Sequence, residues 1–492
     1  MLNWIESRTG LVSMTKEFLT EDVPGGASYW YVFGSATMFA MILQIVTGIF
    51  LTFFYAPSAS TAWESTRAIY LNPWTHTLLS IHYWGASAMI ALVFLHLLQV
   101  LIWGAYKSPR ELQWIVGVLL LVVTLVLGLT GYLLPWDMDA YFASQVSLNI
   151  TGLPPGGALL QLIAQGGTTM GTNTINRFFG LHVWLMPAAL VALVGAHLTI
   201  FRHNGPAGPV VDDPRKLSSG RFWPDQMFMD AVASFVVFLV ILALASFAPP
   251  FLDEKADPTN GTFVPYPAWY FLSLFGLLNV VPQLFSHIPG LASQANAPWV
   301  EMLAAIIVPT IGIIVVILLP WLDRSTTRSF SSRAGILWST FIVCVAIVVL
   351  SIDAQMTIQA KEAAGPPSKS ETEILAAPAQ AAEAAPASGP MADGAKVFST
   401  NCTSCHGSNG MGQASVAPPL AGNAFVTGDA NAVINVVSNG LHGQTIMGQS
   451  YGAPMPAWKG VLSKQDIANV VTYIRGGLGS NKASAVTVSQ IK

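Results

Sequence analysis

Charge is what this 492-residue chain has least of: Asp, Glu, Lys and Arg make up only 10% of it, against about 25% in soluble globular proteins. That shortage excludes an ordinary cytosolic enzyme, a disordered chain and a nucleic-acid binder with a basic face. Ionised side chains are costly in hydrocarbon, so the 53% hydrophobic content points to a polytopic membrane protein. Cysteine is nearly absent too. Cys344, Cys402 and Cys405 are too few for a disulfide scaffold, and the last two share one CxxCH. The net charge of −3 says little about partners.

A membrane span takes about 20 apolar residues. Seven stretches qualify, near 32–54, 78–104, 114–134, 178–201, 229–249, 302–321 and 335–353. Ala268–Val281 is short and lies among Pro265, Pro267 and Pro282, so it is expected to be interfacial or re-entrant. The N-terminal stretch carries charges throughout and has no apolar core. It is expected to be a helix on the membrane surface rather than a signal peptide.

Lysine and arginine placement sets the orientation. With the N-terminus cytoplasmic, eleven basic residues from Arg8 to Arg333 face inward, against Arg67, Arg177 and Lys255 outward. Seven spans then put the C-terminus outside, where heme is attached to CxxCH in bacteria. The expected location is a bacterial cytoplasmic (inner) membrane.

From Gln355 to about Pro390 the composition turns to Ala, Pro, Glu and Ser, which reads as a linker. As a flexible coil it spans about 30–35 Å r.m.s.. The expected fold is all-α: a seven-span transmembrane helical bundle with a C-terminal soluble all-α domain. Its parts are a four-helix core (1–210), a three-helix part (211–354), the linker (355–390) and the soluble domain (391–492).

Four histidines lie well inside spans: His82 and His96 on the second, His182 and His197 on the fourth. Spacings of 14 and 15 residues return to within about 40° and 60° of the same helix face. Both helices run in the same direction, so His82 matches His182 in depth and His96 matches His197. A lone intramembrane histidine is often only a hydrogen-bonded packing residue; two depth-matched pairs are not coincidence. Facing imidazoles fill both axial positions of a heme iron, which implies electron transfer without an open site for substrate. Gly34 and Gly48, and Gly117 and Gly131, repeat the 14-residue spacing on the first and third spans. Glycine weakens helices, and here it lets a porphyrin lie against the backbone. Small-residue helix packing does not account for the matched spacing.

These residues resemble the cytochrome b of bc-type quinol:cytochrome c oxidoreductases over roughly 1–353. Pro109–Leu112 (PREL), Gly131–Ala143 (GYLLPWDMDAYFA), Asn176–His182 (NRFFGLH) and Phe222–Gln226 (FWPDQ) carry the resemblance. The 15-residue histidine spacing with three later spans looks like the chloroplast-type arrangement, here with its two usual chains fused. The resemblance implies an outer heme b on His82 and His182 and an inner one on His96 and His197. It implies Arg177 near the outer heme's propionates, Arg202 and Asp230 at an inner quinone pocket with His203 beside them, and Trp269 and Tyr270 at the outer quinol site. The chain departs from the family in three places. Pro267-Ala268-Trp269-Tyr270 replaces Pro-Glu-Trp-Tyr and so lacks the carboxylate usually taken to accept a quinol proton. Tyr132, Tyr266, Asp137 and Asp139 are the candidate substitutes. Val32 stands where chloroplast-type proteins attach a further heme, so none is expected. Leu79 and Tyr83 replace arginines that hold propionates.

Cys402-Thr-Ser-Cys405-His406 has the c-type heme spacing, and its sixth ligand is expected to be methionine. Met455, in YGAPMPAW, resembles the ligand loop of class I cytochromes c. Met447 is the runner-up and His442 a further alternative. Ser463–Asp466 reads as a helix cap, Pro418–Leu420 resembles the loop covering the heme edge, and the resemblance brings Phe398 and Tyr473 together. The whole chain is then expected to be an enzyme subunit with two hemes b and one covalent heme c. It would oxidise quinol outside, pass electrons through the b hemes to an inner quinone site and outward through the tethered heme c. Expected partners are quinol and quinone, a separate Rieske iron–sulfur protein, a downstream cytochrome or terminal oxidase and a second copy in a homodimeric complex, with no nucleic acid. The alternative is a non-bifurcating diheme membrane anchor exchanging electrons between quinone and another redox partner.

Overall fold

The computed structural model describes residues 2–491 apart from 212–216, 259, 261–262, 290, 295–296, 365–368, 377–388, 408–409, 411, 413–416, 442–444, 447–448, 451–454 and 480. Its described elements are almost wholly helical and fall into two compact units, Met1–Ala377 and Pro378–Lys492.

The first unit opens with α1 (Leu2–Thr9) and α2 (Leu11–Leu19), both without buried residues. Then come α3 (Val32–Thr52), α4 (Ala62–Leu71), α5 (Pro73–Ile102) and α6 (Glu111–Tyr132). Asn72 starts α5 by accepting hydrogen bonds from the amides of Trp74 and Thr75, and Pro73 follows it at the first helical position, where no N–H is needed. The short helices α7 (Met138–Gly152) and α8 (Gly157–Gln165) precede α9 (Thr172–Gly180) and α10 (Met186–Asn204), which are joined by one π-helical turn, Leu181–Leu185. A short strand pair, β1 (Asp22–Pro24) with β2 (Ser219–Arg221), leads to α11 (Met227–Phe247). The unit ends with α12 (Leu272–His287), α13 (Pro298–Met302), α14 (Val308–Leu322), α15 (Ala334–Ala364) and α16 (Glu371–Ala376).

Eight of the described helical stretches are long and apolar enough to cross a membrane; the least apolar is Trp269–His287, with mean hydropathy 1.3. Contacts sort the helix termini into two ends of the bundle. At one end Lys107 pairs with Asp323 at 2.8 Å, just past α14. Burial raises and the Lys107 and Ser325 hydrogen bonds lower the Asp323 pKa, which settles at about 2. Arg333, 1% exposed, donates to the carbonyls of Leu101 and Ile102, tying the start of α15 to the finish of α5. At the other end Asp137 bridges Lys255, Trp84 donates to the Ala248 carbonyl and Lys369 reaches Glu254. So α11 finishes at the Asp137 end, and α13–α14 finishes at the Lys107 end. A stretch of 25 residues that crosses once must therefore begin at the Asp137 end, where α12 also begins. That leaves α12 entering and leaving on the same side, packed against α15 at Gly276 and Leu350. By this sorting seven of the eight candidate helices cross and α12 does not. The segment expected at Ala268–Val281 runs on as helix to His287.

The linker expected at 355–390 begins later than its composition suggested. Helix α15 continues to Ala364 and α16 follows, with Ile374 buried in the cluster around Trp136 and Leu252. Ala, Gln, Lys, Glu and Met are all good helix formers, and residues 352–364 contain no Gly or Pro to stop them. The remaining stretch, 377–388, lies outside the described residues.

The second unit is built on α17 (Pro390–Asn401) crossing α21 (Lys464–Gly476), with α18 (Thr403–His406), α19 (Ala424–Thr427) and α20 (Ala430–Asn439) around them. Gly394 makes the crossing close: a Cβ there would sit 2.0 Å from the Asn469 carbonyl oxygen. Phe398 meets Tyr473 with ring centroids 5.5 Å apart, as expected. Ser463 caps α21 through the Asp466 amide at 3.1 Å, and Asp466 returns the bond to Ser463 N. Ser463→Ala is expected to lower the stability of this unit by about 1 kcal/mol, read as a lower denaturant midpoint with unchanged slope.

Candidate functional site

The bundle brings the four expected histidines into two tiers. Ring centroids of His82 and His182 are 6.3 Å apart. Two metal–imidazole bonds of about 2 Å plus the ring radii add to nearly that distance. His96 and His197 both line a cavity of about 480 Å³ toward the Lys107 end. Each glycine faces one imidazole: Gly48 meets His82 and Gly131 meets His182, while Gly34 meets His96 and Gly117 meets His197. A Cβ would approach the ring carbon Cε1 to 3.2, 2.5, 3.4 and 3.4 Å respectively. The glycines therefore make room for the imidazoles themselves, a closer role than the expected cradle for a porphyrin alone.

The 15-residue spacing on the fourth span has a local cause. One π-helical turn, Leu181–Leu185, contains His182. Such a turn holds one residue more than an α-turn, so 15 residues there cover the rotation of 14 in a regular helix. Pro187 stands two residues past that turn, and its missing N–H and ring clash disrupt the preceding α-turn.

Ring nitrogens in the His82–His182 tier are committed on one side only. Nδ1 of His182 lies 3.1 Å from the Leu127 carbonyl, which can only accept, so Nδ1 carries the proton. Nδ1 of His82 lies 2.8 Å from Thr47 Oγ1, whose own hydroxyl donates to the Leu43 carbonyl at 2.7 Å; Nδ1 is again the donor. Both tautomers leave the Nε2 lone pair free, as ligating histidines do. Thr47 was absent from the expected site, although a signal for it exists: Thr47-Gly48 and Thr130-Gly131 repeat one dipeptide in this tier only, and Thr130 Oγ1 is 3.3 Å from His182 Nδ1. In the other tier Nδ1 of His96 and of His197 is buried without a hydrogen-bond partner.

Among the described residues no three His, Cys, Asp or Glu side chains gather to hold a metal ion. A metal held by two imidazoles must bring its remaining ligands with it, as a heme does. In the second unit His406 is 8% exposed, and its Nδ1 donates to the Pro418 carbonyl at 3.0 Å, again freeing Nε2. Burial lowers the His406 pKa while the Pro418 bond raises it, and burial dominates. Cys402 and Cys405 precede it and form no disulfide, and burial raises Cys402 to about 11. Met455 pairs with Leu441 through the backbone and packs half-buried against the core. Met447 and His442 lie outside the described residues.

The expected quinone-site residues divide. Asp230 lines the 480 Å³ cavity and accepts from Gln226 at 2.8 Å. Arg202 is instead engaged by Glu21, with Glu17 at 3.9 Å, and does not line that cavity. Arg177, on α9, donates to the Leu162 carbonyl at 3.5 Å. A second cavity, of about 200 Å³ at the Asp137 end, is lined by Tyr132, Ser147, Tyr266, Ala268 and Phe271 among others. Trp269 and Tyr270 do not line it: Trp269 donates to Ser87 at 3.2 Å and Tyr270 fills the space beside Gly128. Trp269–Phe271 form one 3₁₀ turn capped by Ala268, in which residues three apart share a face, so Ala268 and Phe271 line the cavity together while Trp269 and Tyr270 do not.

A membrane-crossing bundle with two tiers of paired imidazoles and a separate CxxCH unit defines a membrane electron-transfer protein. Three family models match: Cytochrome b(N-terminal)/b6/petB over residues 87–255, Cytochrome b(C-terminal)/b6/petD over 255–364 and Cytochrome c over 391–477. The cytochrome bc complex cytochrome b subunit of Chlorobaculum thiosulfatiphilum is 34% identical over 335 residues, 67% of this chain and 75% of that one. The menaquinol:cytochrome c reductase cytochrome b subunit of Geobacillus thermodenitrificans is 40% identical over 220 residues, 43% of this chain and 98% of that one. A solved hyperthermophilic respiratory Complex III chain superposes with TM-score 0.60 at 26% identity, covering 76% of this chain and 94% of that one. The chain belongs to the cytochrome b family of cytochrome bc complexes and carries a cytochrome c domain at its C-terminal side.

Because the clearance at Gly131 is the smallest of the four, Gly131→Ala should displace His182 and remove b-type heme from that tier. Gly34→Ala and Gly117→Ala should leave most of it in place. Dithionite-reduced spectra of membranes, normalised to chain content, check the order.

Proposed function

We propose that this chain is the membrane-crossing subunit of a quinol:cytochrome c oxidoreductase, with its Asp137 end on the outer face of a bacterial cytoplasmic membrane. The observation that carries the reading is the pairing of His82 with His182 and of His96 with His197 around one cavity, each ring backed by a glycine, in one chain with a CxxCH unit.

His82, His182, His96 and His197 would hold two hemes b, and Cys402, Cys405 and His406 one covalent heme c with Met455 as its further ligand. Bound there, heme supplies one-electron redox chemistry with no coordination position left for substrate. The chain's own groups do the rest. Leu127, Thr47 and Pro418 hold the imidazole tautomers that present Nε2. The apolar 200 Å³ cavity at the Asp137 end receives quinol, and the part of the larger cavity beside Asp230 that a heme between His96 and His197 would leave open receives quinone. Quinol oxidation at one end and quinone reduction at the other release protons outside and take them up inside.

One electron per quinol leaves to a separate Rieske iron–sulfur protein, since the only Cys-His cluster in this sequence is CxxCH. A downstream cytochrome or terminal oxidase then accepts it from the C-terminal domain, and the complex is a homodimer. Ala268 on the wall of the quinol cavity, in place of a carboxylate, favours as second reading a diheme anchor that does not bifurcate electrons.

Purified complex should give a pyridine hemochrome ratio of two b to one c, with an iron–sulfur subunit among the co-purified chains. A ratio of one to one, or no iron–sulfur subunit, sinks the leading reading. Oxidant-induced reduction of heme b separates it from the second: a bifurcating site shows it and a simple anchor does not.

A further inference from the structure

The cavity at the Asp137 end has no carboxylate or imidazole on its wall among the described residues; its polar side chains are Tyr132, Ser147 and Tyr266. Tyr132 has already committed its hydroxyl proton to the Tyr266 backbone carbonyl at 3.1 Å. Tyr266 differs, because its phenol lies beside the Asp139 carboxyl and interacts with it. Asp139 sits at the start of α7, and its Oδ1 is buried without any hydrogen-bond partner. A buried carboxyl oxygen left unpaired costs about 1–3 kcal/mol or more. Nothing in the packing accounts for it, whereas neighbouring Asp137 is satisfied as a helix cap by the Ala140 amide at 2.9 Å.

We propose that Asp139, reached through the Tyr266 phenol, accepts the proton released when quinol is oxidised in this cavity. The proposal rests on the reading that quinol is oxidised at the Asp137 end. As the quinol O–H bond breaks, its proton forms a new O–H bond on the Tyr266 phenol oxygen. The hydrogen already on Tyr266 passes to the Asp139 carboxylate in the same movement, so the phenol ends neutral and only Asp139 changes charge. Electrons leave to the one-electron acceptors of the established reaction. The site resets when Asp139 loses its proton toward Asp253 and the exposed Glu254 at the surface, and the Tyr266 hydrogen turns back. Tyr266 is the group that touches substrate; Asp139 is a positioning and proton-accepting residue behind it.

The groups facing Asp139 set where it titrates. Burial raises its pKa, the Tyr266 phenol lowers it, and the charges of Asp137, Asp253 and Glu362 on α15 raise it again, to about 8. Asp137 is itself pushed up to about 7, by burial first. Lys255, on the adjoining segment, is paired with Glu64 at 3.4 Å. Only the ionised carboxylate accepts a proton, so activity rises as pH rises through the folded pKa and is lost below it.

The test is steady-state oxidation of a short-chain quinol by the purified complex as a function of pH. Wild type should show kcat/KM rising through an inflection near pH 8. Asp139→Asn should lower kcat roughly 10²-fold, a usual loss for a general base, with KM changed little and the inflection gone. Asp139→Glu should keep the inflection, and Ala268→Glu in the Asp139→Asn background should restore turnover by placing a carboxylate on the cavity wall. Should Asp139→Asn fail to assemble, seen as loss of the b-heme spectrum, Tyr266→Phe decides, since it keeps the ring and should show the same kcat loss. Wild-type kcat and pH profile in Asp139→Asn, or in Tyr266→Phe, overturn the proposal while leaving quinol oxidation intact. A wild-type complex that oxidises no quinol overturns the parent reading, and this one with it.

Discussion

An imidazole that is to bind metal inside a lipid bilayer must keep one nitrogen bare, and in the His82–His182 tier the packing follows from satisfying the other. No water is available there to settle the tautomer, so the protein has to supply a carbonyl or hydroxyl at the right height. Leu127 and Thr47 do so in one tier. To bring ring and acceptor together the neighbouring helices must approach closely, and Gly48 and Gly131 permit it. The π-helical turn around His182 then corrects the rotation so that both histidines of the fourth span point into the same seam.

The same economy of polar groups explains where the remaining charges sit. Lys107, Asp323 and Arg333 form an anchor at one end that ties α5, α14 and α15 together. Asp137, Asp253, Glu254 and Lys255 occupy the other end, beside the smaller cavity. Between them the interior carries little besides the histidines, short hydroxyl chains and Asp230. Isolated charges would be expensive there, and Asp230 borders the larger cavity.

Much of the site was legible before any coordinates. Charge scarcity identified the membrane, long apolar runs marked seven of the eight helices long enough to cross it, and the 14-residue Gly intervals with the 14- and 15-residue His intervals marked the two tiers. CxxCH and the Ser463–Asp466 cap were equally plain, because covalent chemistry and capping depend on residues near one another in sequence. Trp269 and Tyr270 were expected at the quinol cavity because the Pro-x-Trp-Tyr pattern singles them out. They turn away from it, since which side of a tight turn faces a cavity depends on the helices packed around it. Arg202 likewise reads as a pocket residue until Glu21, far away in sequence, is seen to hold it.

Local order along the chain is thus enough to determine a membrane-spanning, heme-ligating protein with an attached cytochrome c domain. Periodicity, span length and CxxCH are properties of neighbouring residues. Only the tertiary structure decided which glycine meets which histidine, that α12 returns to the side it started from, and that Tyr266 joins the cavity to Asp139. Those relations connect residues separated by tens to hundreds of positions, and they are set by how helix faces pack rather than by any preference the intervening sequence carries.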